Sequence, residues 1–150
     1  MHLRRACWGD CGLLFRWSND AEVRKWSYRS DYVSWETHKE WYSRVLSSSD
    51  HLVLIAELED AIPIGVVRFE IAGVDAIIGV SVAKEYRGLG YASHIIRIGS
   101  KEILRMGRAR TVHAYIKLGN EKSKRAFASA GYEHTGQETV HDVNSHHMVL

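Results

Sequence analysis

A chain of 150 residues with 45% hydrophobic content has the size and apolar fraction of one domain, residues 1–150, with a proper core. Its 20 Lys and Arg against 18 Asp and Glu leave a net charge of +2, so bulk charge supplies no nucleic-acid footprint. Two cysteines, Cys7 and Cys11, build neither a disulfide framework nor a Cys-rich zinc site, and no stretch approaches the roughly 20 apolar residues of a membrane span; a reduced, soluble, cytoplasmic chain without metal is the simplest reading.

Leu3 to Trp8 reads as a first strand, and Asp10 is placed to cap a short helix with Leu13, Leu14 and Trp17 on one side. Asn19-Asp20 interrupts that helix and restarts it over Ala21–Trp26. A polar and aromatic loop, Ser27 to Val33, leads to Ser34, which caps a helix with an apolar stripe of His38, Trp41, Tyr42 and Val45 at i, i+3, i+4 and i+7. Beyond Ser47-Ser48-Ser49-Asp50 the pattern turns to strands: His51–Leu58, Ile64–Ile71 and Ala76–Ala83, whose short connections predict an antiparallel meander. The best-patterned helix, Tyr91 to Gly107, puts Ala92, Ile95, Ile96, Gly99, Ile103 and Met106 on one face. A strand over Arg110–Lys117 follows, then a helix capped by Asn120 and ended at Ala130 with Gly131 at C′, then a hairpin of Tyr132–Val140 and Val143–Leu150 split by His141-Asp142. The expected architecture is α/β: a mixed, mostly antiparallel sheet with helices on both faces. Of nine histidines, His113, His134, His141, His146 and His147 fall in this last part without the i, i+4 helical pairing of a metal motif, and read as surface or packed residues.

One stretch carries chemistry. Arg87-Gly88-Leu89-Gly90-Tyr91-Ala92 joins a strand to the long helix, so unpaired backbone N–H groups gather at the positive end of the helix macrodipole, and two glycines clear the approach for a large anion. Neither the Walker loop nor the dinucleotide fingerprint applies, because Ser93 stands where a third glycine would be. The order strand, Arg87-x-x-Gly90-x-Ala92, helix resembles the coenzyme A pyrophosphate loop of the GNAT acetyltransferase superfamily. Asn120-Glu121-Lys122-Ser123-Lys124-Arg125-Ala126-Phe127-Ala128-Ser129-Ala130-Gly131-Tyr132 resembles that superfamily's Asn-x-x-Ser/Ala-x-x-x-aromatic-x-x-x-Gly-Phe/Tyr segment, in the right order and at the right separation.

The resemblance spans almost the whole chain and implies a single-domain GNAT fold, acetyl-CoA as acyl donor, and an amine acceptor. It implies that Val80, Ser81 and Val82 pair with the pantetheine arm through their backbone. Gly88, Leu89, Gly90, Tyr91, Ala92 and Ser93, led in by Arg87, would hold the diphosphate, and Asn120, Ser123, Lys124 and Phe127 would complete the cofactor side. Phe127 stands where many members carry the tyrosine that protonates the leaving thiolate, so Tyr115 becomes the candidate acid and Glu70, beside Arg68 on one strand face, the candidate base. Each has a plainer alternative as core strand, helix cap, solvated lysine or surface ion pair.

The first third should carry acceptor specificity. Leu13 to Tyr28, Ser34 to Tyr42 and Gly65-Val66-Val67-Arg68-Phe69-Glu70 resemble bacterial acetyltransferases that modify the 4-amino group of nucleotide-linked deoxysugars on the way to pseudaminic-type acids. This makes Arg24, Trp26, Tyr28, His38 and Arg68 the acceptor candidates, with a homodimer compatible and no nucleic-acid or membrane partner. Protein N-terminal acetylation, non-catalytic acyl-CoA binding, and nucleic-acid binding by Lys122, Lys124 and Arg125 stand as alternatives.

Overall fold

The computed structural model describes all 150 residues, Met1–Leu150. Seven strands form one sheet in the order β1-β2-β3-β4-β5-β7-β6. The strands are β1 His2–Arg5, β2 His51–Glu57, β3 Pro63–Ala72, β4 Asp75–Val82, β5 Thr111–Lys117, β6 Glu133–Val140 and β7 Val143–Val149. Every neighbouring pair is antiparallel except β4 and β5, so the expected mixed sheet and its meander are both present. The helices are α1 Cys11–Ser18, α2 Ala21–Trp26, α3 Trp35–Ser47, α4 Tyr91–Arg105 and α5 Glu121–Ser129.

Alternation along the strands divides the core in two. Leu52, Leu54, Val67, Phe69, Ala76, Ile78, Val112, Ala114 and Met148 point to the face covered by α4 and α5, where Ile95, Ile96, Ile103, Phe127 and Tyr132 meet them. Val53, Ile55 and Val66 point the other way, onto Cys11, Leu14, Tyr42 and Val45 of α1 and α3. Gly99 sets how closely α4 lies on the sheet: a Cβ there would stand 2.9 Å from Cγ1 of Val67, a stiff β-branched side chain with no room to retreat.

Three local expectations are corrected. The first strand is His2–Arg5, because residues Trp8–Asp10 turn instead. Asp10 begins α1 without capping it through its side chain; its carboxylate takes both terminal nitrogens of Arg4 at 2.8 Å and the Cys7 N–H at 2.8 Å. A guanidinium offers more to a carboxylate than an amide does, so Asp10 ties β1 to the following turn. The long helix stops at Arg105, two residues short of Gly107, which adopts φ +67° after the C-cap.

Candidate active site

At the head of α4 the chain does what its glycines permit. Gly88 and Gly90 have φ of +75° and +85°, and Gly90 is the N-cap of α4. The backbone N–H groups from Gly88 through Ser93 find no carbonyl in the protein, and no side chain accepts from them; the only local bond is Ser93 Oγ donating to the Gly90 carbonyl at 3.1 Å. Six successive donors at the positive end of a 15-residue helix form a cradle suited to an anion. Arg87 is committed elsewhere: Nε donates to the Val82 carbonyl at 2.9 Å and a terminal nitrogen to Asp20 at 2.8 Å, so its guanidinium fixes the loop to β4 and α2.

Below this cradle the sheet parts. The β4–β5 ladder joins only Asp75 to Thr111, Ala76 to Val112 and Ile77 to His113. From Ile78 to Val82 β4 stays on β3, while β5 stays on β7 as far as Lys117, so the β4 edge facing β5 carries no strand. Val80, Ser81 and Val82 lie on that open edge, where an extended chain of amides can add to it. On the far wall Asn120 accepts from the Ser123 N–H at 3.3 Å and caps α5, leaving its amide nitrogen unpartnered; the Ser123 hydroxyl and Lys124 ammonium also have no partner. Phe127 does not join them. It is 3% exposed and packs edge-to-face on Tyr132 at 5.0 Å, which makes it core and corrects its assignment to the cofactor.

On the α1–α3 side of the sheet a narrow pocket, with a cavity volume of about 20 Å³, lies between Trp17, Arg24, Trp41, Arg68 and Ser81. No carboxylate lines it. Arg68 has no hydrogen bond or ion pair in the protein; its guanidinium sits 5.7 Å from the Trp41 ring and passes over Gly79, where a Cβ would stand 3.5 Å from it. Burial and the charge of Arg24 both press its pKa downward. Arg24 is occupied with backbone: its nitrogens donate to the carbonyls of Ser18, Arg29 and Asp31 and to the Ser27 hydroxyl, which shapes the loop after α2.

Tyr28 reaches across to Ser145 on β7, its hydroxyl 2.7 Å from Oγ, and Trp26 lays its ring edge against Gly119. His38 is corrected. At 2% exposure it bonds through Nε2 to the Cys11 carbonyl at 2.9 Å within Phe15, Trp35, Trp41 and Tyr42, so it holds α3 to α1 and does not line the Arg68 pocket. Glu70 is exposed and unpartnered in a shallow hollow with Arg44 and His51 at the end of α3, apart from the Arg68 pocket except for the shared Trp41. Tyr115 is on the cleft wall, on the same face as Arg68, its hydroxyl free; burial first, then Glu138 and Asp75, raise its pKa and keep the phenol protonated.

A family model for the acetyltransferase (GNAT) domain matches residues 1–133. The chain belongs to this family. Among solved structures this GNAT-domain protein is similar to a spermidine N-acetyltransferase from Vibrio cholerae in complex with CoA and spermine, at 17% identity over 99% of this chain and 94% of that one, with a TM-score of 0.89. It is also similar to an aminoglycoside acetyltransferase, AAC(6')-Ib, in complex with coenzyme A, at 20% identity over 99% and 92% of the two chains, with a TM-score of 0.87. At such identities the likeness carries the fold. Among curated proteins none matches the sequence.

In this GNAT-domain chain the amides of Gly88–Ser93 stand at the head of α4, Val80–Val82 lie on the open edge of β4, Asn120 caps α5, and Arg68 and Tyr115 share the other face of the sheet. Sequence reasoning missed Asp20, Asp75, Thr135 and Glu138. A signal was present for one of them, since an Asp before a helix start is a cap first, and Asp20 does accept from Glu22 and Val23 while also holding Arg87. Burial alone would raise the Asp20 carboxyl, but the Arg87 bond and the Val23 and Glu22 amides offset it and hold the pKa below the usual carboxylate range. A depressed carboxylate stabilises the fold above its unfolded pKa, about 4, and loses that contribution as pH falls through the folded value. Acid titration of Asp20→Asn is therefore expected to show a smaller loss of melting temperature below about pH 4 than the wild type does, with the curves furthest apart near neutrality.

Proposed function

We propose that this protein moves an acetyl group from acetyl-CoA to the primary amine of a small acceptor, and that the acceptor is a deoxysugar 4-amine linked to a nucleotide. The observation that carries the reading is the run of six unpartnered amides at the head of α4, opening into a strand-free edge of β4. The cradle takes the diphosphate, the edge takes the amide-bearing arm, and Asn120, Ser123 and Lys124 close the opposite wall. Acetyl-CoA supplies a thioester carbonyl; backbone N–H groups of the β4 edge are the donors available to the oxyanion that develops there. Tyr115 is the group able to give a proton to the departing sulfur, since Phe127 has none to give.

The acceptor reading rests on charge. A polycation such as spermine or an aminoglycoside asks for carboxylates, whereas this pocket offers an uncompensated guanidinium beside aromatic rings, suited to phosphate or carboxylate oxygens attached to a stacked ring. Thiol release from acetyl-CoA with a nucleotide-linked 4-amino sugar, spermidine, kanamycin and a peptide amine tests both parts. Turnover is expected with the nucleotide sugar and weakly, by about 10-fold or more in kcat/KM, with the polycations. Faster turnover of spermidine or kanamycin overturns the acceptor; no thiol release with any amine overturns the enzyme reading.

A further inference from the structure

Four strands bring a line of polar side chains together on the Arg68 face, along the stretch where β4 and β5 are still paired, from Asp75 to His113. Asp75 Oδ1 lies 2.9 Å from His113 Nε2, His113 Nδ1 lies 2.8 Å from His147 Nε2, and His147 Nδ1 lies 3.0 Å from Thr135 Oγ1. Thr135 Oγ1 is also 3.1 Å from the His147 carbonyl, and Glu138 stands 3.5 Å from His147 Nδ1. The two imidazoles are stacked at 5.1 Å, and the Tyr115 ring lies parallel to His147 at 4.8 Å.

Hydrogen counting restricts what this line can hold. The 2.8 Å contact between the imidazoles has room for one proton; two would oppose each other and none would set lone pair against lone pair. His113 Nε2 must donate to Asp75, which has nothing to give. The one remaining choice is the Thr135 hydroxyl. When it donates to His147 Nδ1, both rings are neutral and the donors run from Thr135 to Asp75. When it turns to the His147 carbonyl, Nδ1 gains a proton, donates to Thr135 Oγ1, and the pair carries one positive charge between Asp75 and Glu138. Both states satisfy every polar atom, and they differ by one proton and one hydroxyl rotation.

We propose that His113 and His147 form a one-proton site that receives the proton released by the acceptor amine and, once charged, primes Tyr115. The inference rests on the acetyl-transfer reading. An ammonium acceptor gives one proton, through water, to His147 Nδ1 as Thr135 rotates away. The freed lone pair forms the C–N bond, the C–S bond breaks with its electrons on sulfur, Tyr115 hands the sulfur a proton, and Tyr115 recovers one from the nitrogen. The net product proton stays on the pair until solvent removes it. While it is there, a cation stacked against the Tyr115 ring steadies the phenolate at the moment it forms. The charged and titratable groups facing the pair are Asp75 on β4, Tyr115 on β5, Glu138 on β6, and Tyr28 from the loop after α2; Lys117 is turned away onto the carbonyls of Lys25 and Ser27. His113 and His147 act through Tyr115 and water, and so are positioning residues.

Nitrogen-15 spectra of histidine-labelled whole protein, titrated from about pH 5 to 9 without any substrate, read the count directly. One proton taken up jointly by His113 and His147 is expected; two, one per ring, overturn the proposal whatever the acceptor proves to be. In turnover, His147→Phe keeps the stack and is expected to lower kcat about 10- to 100-fold with the KM for acetyl-CoA unchanged, and to move the acid limb of the kcat profile to higher pH. Thr135→Val, on the exposed edge strand β6, removes the rotating hydroxyl with little risk to folding and is expected to move the same limb in the same direction. Unshifted limbs in both variants overturn the proposal, whereas failure of the wild type to release thiol with any amine overturns the enzyme reading and leaves the proton count to decide the pair.

Discussion

Valine in place of Gly90 is expected to weaken acetyl-CoA binding by at least about 100-fold while the melting temperature moves by no more than a few degrees. Gly90 has φ +85° and ψ 0°, a conformation that a β-branched residue adopts only at a cost of about 1–3 kcal/mol. No heavy atom lies within 4 Å of where its Cβ would be, so the penalty comes from the backbone alone and is relieved by turning φ negative. That turn rotates the adjoining N–H groups out of their common direction. Two lost bonds to a charged diphosphate, at about 1.5–3 kcal/mol each, amount to roughly two to four decades in affinity. Calorimetry with acetyl-CoA measures the loss, and Leu89→Ala, an exposed change in the same loop, supplies the control with unchanged affinity. If Gly90→Val binds within threefold of the wild type, the cradle does not hold the diphosphate.

The cradle was legible because its cause is local. A strand, two glycines one residue apart and an amphipathic helix dictate unpartnered amides whatever the rest of the chain does, and Gly88 and Gly90 adopt the positive φ that such a turn needs. The sheet was legible for a similar reason: runs of β-branched and aliphatic residues joined by short connections mark β2, β3 and β4 as antiparallel neighbours. What could not be read is the partnering of side chains across strands distant in sequence. Nothing near Arg87 announces Asp20, 67 residues earlier, and nothing near His113 announces His147. The apolar stripe of α3 shows the same limit. Its spacing identified His38 as a packed position, while the resemblance placed it at the acceptor, and the Cys11 carbonyl decides for packing. Phe127 was legible as a residue with no proton to give, but not as one whose ring packs edge-to-face on Tyr132.

Leucine in place of Arg68 is expected to stabilise the protein and disable it. A guanidinium partly withdrawn from water, with no carboxylate or carbonyl as partner, keeps only its contact with Trp41 and the water it still reaches, so the folded state carries part of its desolvation cost. Replacing it with a shorter apolar side chain is expected to raise the melting temperature by about 2–4 °C, the shift that about 1 kcal/mol produces in a chain near this size. The same substitution removes all five N–H donors from a pocket that contains no acidic residue to reorganise around. For an anionic acceptor, kcat/KM is expected to fall about 10²- to 10³-fold with acetyl-CoA affinity untouched, because the bond lost is a charge-assisted bidentate one in a partly desolvated site. Arg68→Lys separates charge from geometry: a point charge keeps the attraction but loses the fork, so only part of the activity should return. A more stable Arg68→Leu with undiminished turnover would mean that the guanidinium serves no acceptor, and a less stable one would mean that it is held in the fold by contacts with Trp41 and Gly79 that outweigh its buried charge. Stability gained together with activity lost is the signature of a residue kept against the interest of the fold, and that pairing is what an acceptor-binding arginine must show.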